Sequence, residues 1–467
     1  MNIVSRKVMQ TWVALGPRFL PFADAATPEL PLSRLLRLSL FQVSVGMALV
    51  LLVGTLNRVM IVELGVPASL VAIMLSLPLV FAPFRALIGF RSDTHRSLLG
   101  WKRVPFMWQG TLIQFGGLAI MPFALLVLAG EGESGATPVW VGQAGAALAF
   151  LMVGAGIHTT QTIGLALAND LAPEHSQPKV VGLMYVMLLL GMIVSALVFG
   201  TVLHEFTNAR LIQVIQGSAV LTIVLNVIAL WKQEARDPRR TAVTRETPCF
   251  AQSWHGFISV PHARRRLVAI GLGTMGFSMQ DVLLEPYGGQ VLGMSVGSTT
   301  LLTACLAAGG LLGFGLASRV LSRGADPFRM ASHGALVGVP GFLAVMAAGP
   351  EMAPGLFALG VFVIGFGGGL FSHGTLTATM VMAPAEQTGL ALGAWGAVQA
   401  TAAGVAMASG GVIRDVVAAM PGAGPASGYQ VAYGLEVAML LATVLAMLPL
   451  LRRDGTALPN PAANRAA

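Results

Sequence analysis

The chain has 467 residues, of which 55% are hydrophobic and only 10% are charged, whereas roughly a quarter of the residues in an ordinary soluble domain carry a charge. The net charge of +8 would suggest nucleic-acid binding in a soluble protein, but so few charges cannot cover a water-facing surface. The composition therefore predicts a polytopic membrane protein that does not bind nucleic acid. At about 20 residues per span, the chain has room for around twelve helices.

Twelve apolar segments are long enough to span a bilayer, and the longest polar stretch separates them into two sets of six. This pattern predicts an all-α protein with two six-helix halves joined by a cytoplasmic loop and flanked by cytoplasmic tails. The predicted spans are 38–62, 68–90, 104–129, 139–165, 180–203, 209–231, 266–288, 296–321, 328–348, 355–381, 388–411 and 430–451. The predicted regions are an N-terminal tail (1–37), a first half (38–231), a central loop (232–265), a second half (266–451) and a C-terminal tail (452–467).

The basic residues fall almost entirely on one side of the predicted membrane. With the N-terminus placed inside, all of the 28 Lys and Arg residues except Arg58, Arg210 and Arg414 lie in or beside inside segments. Loops on the cytoplasmic side of a membrane carry an excess of Lys and Arg. We therefore expect both termini to be cytoplasmic.

The two halves resemble each other weakly. GAGIHTTQ at 154–161 in helix 4 is followed by Ala-Pro at 172–173, and GGGLFSHG at 367–374 in helix 10 is followed by Ala-Pro at 383–384. Repeats of this kind resemble the major facilitator architecture, in which pseudo-two-fold symmetry about the membrane normal relates two six-helix halves. In that architecture helices 1, 4, 7 and 10 line the central cavity. Gly-x-x-x-Gly spacing, as at Gly309 to Gly313, predicts close helix packing.

Polar side chains within helices 1 and 7 form the first candidate site. An ionisable group inside a span costs roughly 2.5 to 3.5 kcal/mol on insertion scales, so such residues are functional candidates by default. We predict a polar network or gate between the halves. The alternative is structural: an interfacial cap or ion pair for Arg58 with Glu63, and a pairing of the helix 7 acids with Arg58. The residues are Asn57, Arg58 and Glu63 on helix 1 and Gln280, Asp281 and Glu285 on helix 7.

Histidines on helices 4 and 10 form the second candidate site. A neutral imidazole can ligate a metal, including the magnesium of a chlorophyll-type pigment, so we predict a pigment site that includes His158, Gln161 and His373. The alternative for each histidine is a hydrogen-bonded packing residue. The remaining histidines show no zinc-type spacing with cysteines, and no nucleophile elbow or phosphate-binding loop is present. We expect no resident metal, no catalytic residue and no enzyme activity.

The loop between helices 2 and 3 carries a modified form of a transporter signature. Its residues are Gly89, Asp93, Arg96, Lys102 and Arg103, and the insertion THRSLLGW at 94–101 expands the usual compact pattern. An altered signature weakens the case for ordinary alternating access.

Three segments carry a family resemblance: GTLNRVMIVELGVPA at 54–68, APFRALIGFRSDTHR at 82–96 and DVLLEPYGGQVLGMSV at 281–296. They are similar to the PucC/LhaA family of phototrophic bacteria. The resemblance implies a light-harvesting assembly factor, or chaperone, in the inner photosynthetic membrane. It also implies bacteriochlorophyll as a transient ligand and, as partners, the α and β antenna polypeptides together with pigment-synthesis and membrane-insertion machinery.

Two other functions stay open at this point. One is a proton-coupled secondary transporter or pigment flippase that uses Asp281 and Glu285 as proton carriers. The other is an interaction scaffold that binds no ligand, in which both membrane histidines are dispensable for antenna assembly.

Overall fold

The structure is a computed structural model. It describes residues 27, 30–80, 88, 91–92, 101–130, 137–173, 176–234, 259, 262–382, 388–424 and 426–451. These residues form helices joined by turns, and no strand occurs among them. Eleven of the described helices are long and apolar enough to cross a membrane, and a shorter apolar helix lies in the first part of the second predicted span. The all-helical membrane fold predicted from the sequence is confirmed.

The helices follow the predicted spans in order. Their bounds are α1 Leu32–Glu63, α2 Ala68–Val80, α3 Val104–Ala129, α4 Val139–Leu171, α5 Gln177–Val202, α6 Asn208–Leu230, α7 Ala263–Gln290, α8 Val296–Leu321, α9 Pro327–Ala348, α10 Pro354–Met382, α11 Thr388–Ala418 and α12 Ser427–Met447. α4 and α11 continue past the predicted ends at 165 and 411. Both extensions carry polar residues and therefore lie outside the apolar segments. The helices include them because backbone hydrogen bonding continues after the apolar segment has ended.

Two of the helices are interrupted where the sequence predicted continuous ones. α1 contains two π-helical segments, Val50–Leu56 and Val59–Glu63, on either side of Asn57 and Arg58. α7 consists of Ala263–Met275 and Gln280–Gln290, separated by a turn. π-Helical turns are frequent at functional sites, and broken helices place backbone polar groups inside a membrane protein. Both interruptions adjoin residues of the first candidate site.

The chain packs into two compact units. The first contains α1 to α6 together with Leu284–Ala307, which is the second part of α7 and the first part of α8. The second contains Leu283 and the earlier part of α7, the part of α8 from Ala308 onward, and α9 to α12.

The interior of the first unit contains a buried, uncharged hydrogen-bond network. Ser44 Oγ on α1 donates to Asn226 Oδ1 on α6 at 2.9 Å, and Asn226 Nδ2 donates to Thr111 Oγ1 on α3 at 3.0 Å. All three side chains are buried. Because the bilayer core offers no water to buried polar groups, they must find partners inside the protein. This network therefore links α1, α3 and α6.

Glycines allow the helices of the second unit to pack closely. A Cβ at Gly309 would collide with the backbone of Phe362 on α10, and one at Gly313 would collide with the backbone of Phe366. Small residues at such contacts let two helix backbones approach each other. The packing role predicted for this Gly-x-x-x-Gly pair is confirmed.

Candidate functional site

Arg58 is a buried cation of the first unit. Its side chain is only 4% exposed, and Nη1 donates to Glu63 Oε1 at 2.5 Å. Nη2 donates to the backbone carbonyl of Met294 at 2.9 Å. The side chain packs against Gly289, where an added Cβ would lie 3.1 Å from Nε. Arg58 therefore fixes the end of α1 to the segment that connects α7 with α8.

Glu285 lies beside the same part of α1. The residue is 4% exposed, Oε1 accepts a hydrogen bond from Thr303 Oγ1 at 2.5 Å, and Oε2 is buried without a hydrogen bond from the described residues. A Cβ at Gly54 would overlap Glu285 Oε1 and Thr303 Oγ1, so only glycine permits this approach. A neighbouring pair, Thr55 and Thr300, shares a hydrogen bond of 3.2 Å. The result is a carboxyl group held between α1, α7 and α8 by neutral hydroxyl groups.

A second acidic cluster lies where α7 is broken, within the second unit. Glu436 on α12 is fully buried, and its Oε1 accepts from the backbone N–H of Gln280 at 2.8 Å. Gln280 Nε2 donates to Asp281 Oδ1 at 2.5 Å. A helix that begins inside a membrane exposes N–H groups that need an acceptor. Glu436 supplies that acceptor to the second part of α7.

The sequence analysis overlooked Glu436. The signal was available, because Glu436 is the one acidic residue within the predicted span 430–451, and an acidic residue inside a span is a functional candidate. Thr303, the partner of Glu285, had no such signal, since a hydroxyl on an apolar helix is common.

The structure brings some of the predicted network residues into direct contact. Arg58 binds Glu63, and Gln280 binds Asp281. Glu285 belongs to the first unit, and Asp281, one helical turn earlier, belongs to the second. Asn57 is fully buried, as its predicted role requires. A gating role for these residues stays a prediction.

The two membrane histidines have different environments. His158 is partly exposed and lies on the face of α4 that also carries exposed Leu148 and Ala155, with partly exposed Gln161 one turn further on. The imidazole of His373 on α10 packs against Phe314, with ring centroids 4.3 Å apart and planes inclined at 57°. An imidazole that binds a pigment metal must be reachable from the helix surface. Both histidines are partly exposed and the Nδ1 atom of each is buried, and the His373 ring has Phe314 against it.

The residues that follow the loop between α2 and α3 are anchored at one end of the first unit. Arg103 Nε binds Asp170 Oδ2 at 2.9 Å, and its Nη1 binds Ser92 Oγ at 2.5 Å. The backbone N–H of Lys102 donates to Glu234 Oε1 at 2.7 Å. Gly89, Asp93 and Arg96 lie outside the described residues. Asp170 and Glu234, which the sequence analysis did not single out, are thus the acidic partners of this region.

Within the described ranges, no group of three or more His, Cys, Asp or Glu side chains is arranged to hold a metal ion.

Comparison with known proteins gives a consistent family match. The sequence model described as "PUCC protein" matches residues 55–455. Protein PucC of Cereibacter sphaeroides is 61% identical over 449 residues, covering 96% of this chain and 98% of that protein. Protein PucC of Rhodovulum sulfidophilum is 63% identical over 420 residues, covering 89% and 92%. A more distant relative from Rhodobacter capsulatus, named "Bacteriochlorophyll synthase 44.5 kDa chain", is 27% identical over 380 residues, covering 79% and 85%.

Solved structures with a similar fold are membrane transporters. A point mutant of the nucleoside transporter NupG superimposes with a TM-score of 0.67 at 14% identity, covering 90% of this chain and all of that one. The inward-open xylose transporter XylE from E. coli gives a TM-score of 0.62 at 15% identity, covering 92% and 99%. At this level of identity the likeness establishes the fold alone, which is of the major facilitator type.

Proposed function

The chain belongs to the PucC protein family, and from this membership we propose that it is an assembly factor for photosynthetic light-harvesting antenna. In this role it delivers bacteriochlorophyll to nascent antenna α and β polypeptides in the inner membrane, or guides those polypeptides themselves. It is not an enzyme, and bacteriochlorophyll is its transient cargo. The α and β antenna polypeptides are its partners, along with pigment-synthesis and membrane-insertion machinery.

The observation that carries this proposal is the near full-length match to PucC proteins together with the wider family, one member of which bears bacteriochlorophyll in its name. The site geometry is compatible with it. Arg58 is held by Glu63 and a backbone carbonyl, and Glu285 is held by Thr303. These bonds stabilise one arrangement of α1, α7 and α8, which suits a scaffold that presents a client-binding surface.

His158 is the best candidate for the pigment ligand. His158 is partly exposed, so its neutral imidazole can reach the magnesium of a chlorophyll-type ring. Gln161, one turn away on α4, can hydrogen-bond a polar group at the ring edge. His373 is the weaker candidate because Phe314 packs against its ring.

The first test is affinity purification of the full chain in mild detergent from a phototrophic host, with an absorption spectrum and identification of the polypeptides that copurify. We expect bacteriochlorophyll absorption, antenna polypeptides, or both. A pigment-free, partner-free preparation combined with normal antenna levels after gene deletion would refute the proposal.

The second test separates pigment ligation from packing. We expect His158→Phe to reduce the pigment retained per protein severalfold while His333→Phe leaves it unchanged. His333 lies exposed on α9, so it controls for the loss of any membrane-exposed imidazole. Equal pigment retention in both variants would remove His158 as the ligand, and intact antenna assembly would then favour guidance of polypeptides without pigment.

A second candidate function is proton-coupled transport or pigment flipping. It is favoured by the transporter-like fold, by the buried acids Glu285 and Glu436 and by the partly buried Asp281. Its test is uptake of a pigment analogue into proteoliposomes under an imposed proton gradient. Uptake that depends on the gradient and disappears in Asp281→Asn and Glu285→Gln would support transport. Equal uptake with and without the gradient would exclude proton coupling.

A further inference from the structure

A tryptophan-lined cavity of about 700 Å³ lies at one end of the first unit, apart from both candidate sites. It is formed by the start of α1 and by residues around the start of α3 and the end of α6. Trp101, Trp108 and Trp231 line it together with Arg34, Lys232 and Glu234. Because these residues lie where membrane-length helices begin or end, the cavity is at the level of a membrane–water interface.

The acidic side chain of this cavity is engaged by the start of α3. Glu234 accepts hydrogen bonds from the backbone N–H groups of Lys102 at 2.7 Å, Arg103 at 3.0 Å and Val104 at 2.9 Å. These are the unsatisfied donors at the N-terminus of α3, where the helix dipole also favours a negative charge. The carboxylate therefore binds the helix, and the lining carries two cations, Arg34 and Lys232, against this one anion.

The two cations are positioned differently. Arg34 is held by Gln233, because its Nε donates to the side-chain Oε1 at 3.1 Å and its Nη2 donates to the backbone carbonyl at 2.7 Å. Gln233 is 1% exposed, so this contact is a rigid part of the wall. Lys232 is exposed and adopts a left-handed backbone conformation with φ of 54°. A guanidinium held by Gln233 and an exposed ammonium group thus flank the same opening.

The apolar walls remain open to the surroundings. Trp108 is 37% exposed and Trp231 is 60% exposed. Tryptophan favours the interfacial zone because it combines a large apolar ring with one N–H donor. A molecule with an anionic head and an apolar tail would place the head between Arg34 and Lys232 and lay the tail along the two indoles.

We propose that this cavity binds an anionic phospholipid of the inner leaflet, with its phosphate group between Arg34 and Lys232 and its acyl chain against Trp108 and Trp231. The distribution of basic residues predicts that this end of the unit faces the cytoplasm, where anionic lipids attract Lys and Arg. The proposal does not depend on the antenna-assembly function.

The test uses the full chain in phosphatidylcholine nanodiscs that contain increasing fractions of phosphatidylglycerol. Tryptophan fluorescence is quenched by bromine on the acyl chains of one lipid or the other. We expect brominated phosphatidylglycerol to quench at a lower mole fraction than brominated phosphatidylcholine. The double variant Trp108→Phe/Trp231→Phe should lose this preference, whereas Trp140→Phe should keep it, since Trp140 is 67% exposed at the opposite end of the spans.

Charge variants complete the test. Lys232→Gln should lower the preference for phosphatidylglycerol about fivefold, the effect expected for one basic residue near an anionic leaflet. Arg323→Gln, in the turn between α8 and α9 on the same predicted side, should leave it unchanged. Lys232 is exposed, so this variant is expected to fold even if Arg34→Gln does not. Equal quenching by the two lipids, an equal effect of Arg323→Gln, or displacement of the lipid by excess soluble glycerol phosphate would each overturn the proposal.

Discussion

Replacement of Arg58 by methionine tests whether the contacts of this buried cation stabilise the first unit. The variant loses two charge-assisted hydrogen bonds, one to Glu63 and one to the Met294 carbonyl, each worth about 1.5 to 3 kcal/mol in a buried setting. The Glu63 side chain is 38% exposed, so water replaces part of its lost interaction. We therefore expect the free energy of unfolding to fall by about 2 to 4 kcal/mol.

Arg210 offers a matched control. It forms an ion pair with Glu205 at 3.0 Å over the same sequence separation, but the two side chains are 41% and 77% exposed. Exposed pairs contribute about 0 to 1 kcal/mol, so Arg210→Met should have a correspondingly small effect. The assay is unfolding in mixed micelles by increasing SDS fraction, with helicity followed by circular dichroism.

A double-variant cycle then isolates the pair. Arg58→Met combined with Glu63→Gln should cost less than the sum of the two single variants, because removing both partners leaves no unpaired charge. If Arg58→Met and Arg210→Met shift the unfolding midpoint equally, burial does not strengthen the Arg58 contacts and the reasoning is wrong.

Three further predictions follow from individual contacts. Gly309→Val should destabilise the second unit by about 1 to 3 kcal/mol in the same SDS assay, because the new side chain collides with α10. Gly434 has open space around it, so Gly434→Val should have little effect. Equal effects of the two substitutions would contradict close packing at Gly309. Glu234→Ala should lower the free energy of unfolding, measured by SDS unfolding, by about 0.5 to 2 kcal/mol, because the start of α3 loses its acceptor. An unchanged midpoint would show that water caps the helix equally well. Glu436→Leu should lower the free energy of unfolding by about 1 to 3 kcal/mol, because the backbone N–H of Gln280 loses its acceptor. Glu436→Gln retains a carbonyl oxygen and should be tolerated. If both variants are destabilised by the same amount, an amide oxygen cannot replace the carboxyl group and the acceptor argument is wrong.

Much of the fold could be predicted because a bilayer imposes a requirement on each segment separately. A helix is the structure in which one apolar segment of about 20 residues satisfies its own backbone hydrogen bonds inside a bilayer. Such a segment can therefore be predicted to be a helix wherever it occurs. This is why all twelve predicted spans have a helix in the structure. The interruptions of α1 and α7 were missed because each lies within a segment that is apolar and long enough to be predicted as one continuous span.

The candidate polar residues could be recognised for a related reason. Ionisable groups are rare in spans, so Arg58, Asp281 and Glu285 stand out in the sequence without any knowledge of their surroundings. Glu436 meets the same criterion. Recognition of a residue does not extend to its partner, however, because Thr303 and the Met294 carbonyl are chemically ordinary groups.

Amino-acid composition and the placement of basic residues were thus sufficient for the membrane class, the number of helices and the short set of costly side chains, since each of these depends on one segment at a time. The pairings required the folded chain. Arg58 meets Met294, Gln280 meets Glu436, and Lys102 meets Glu234 across separations of more than a hundred residues. A hydrogen bond forms only when two groups come within about 3 Å of each other, and the packing of helices against one another determines which groups do so.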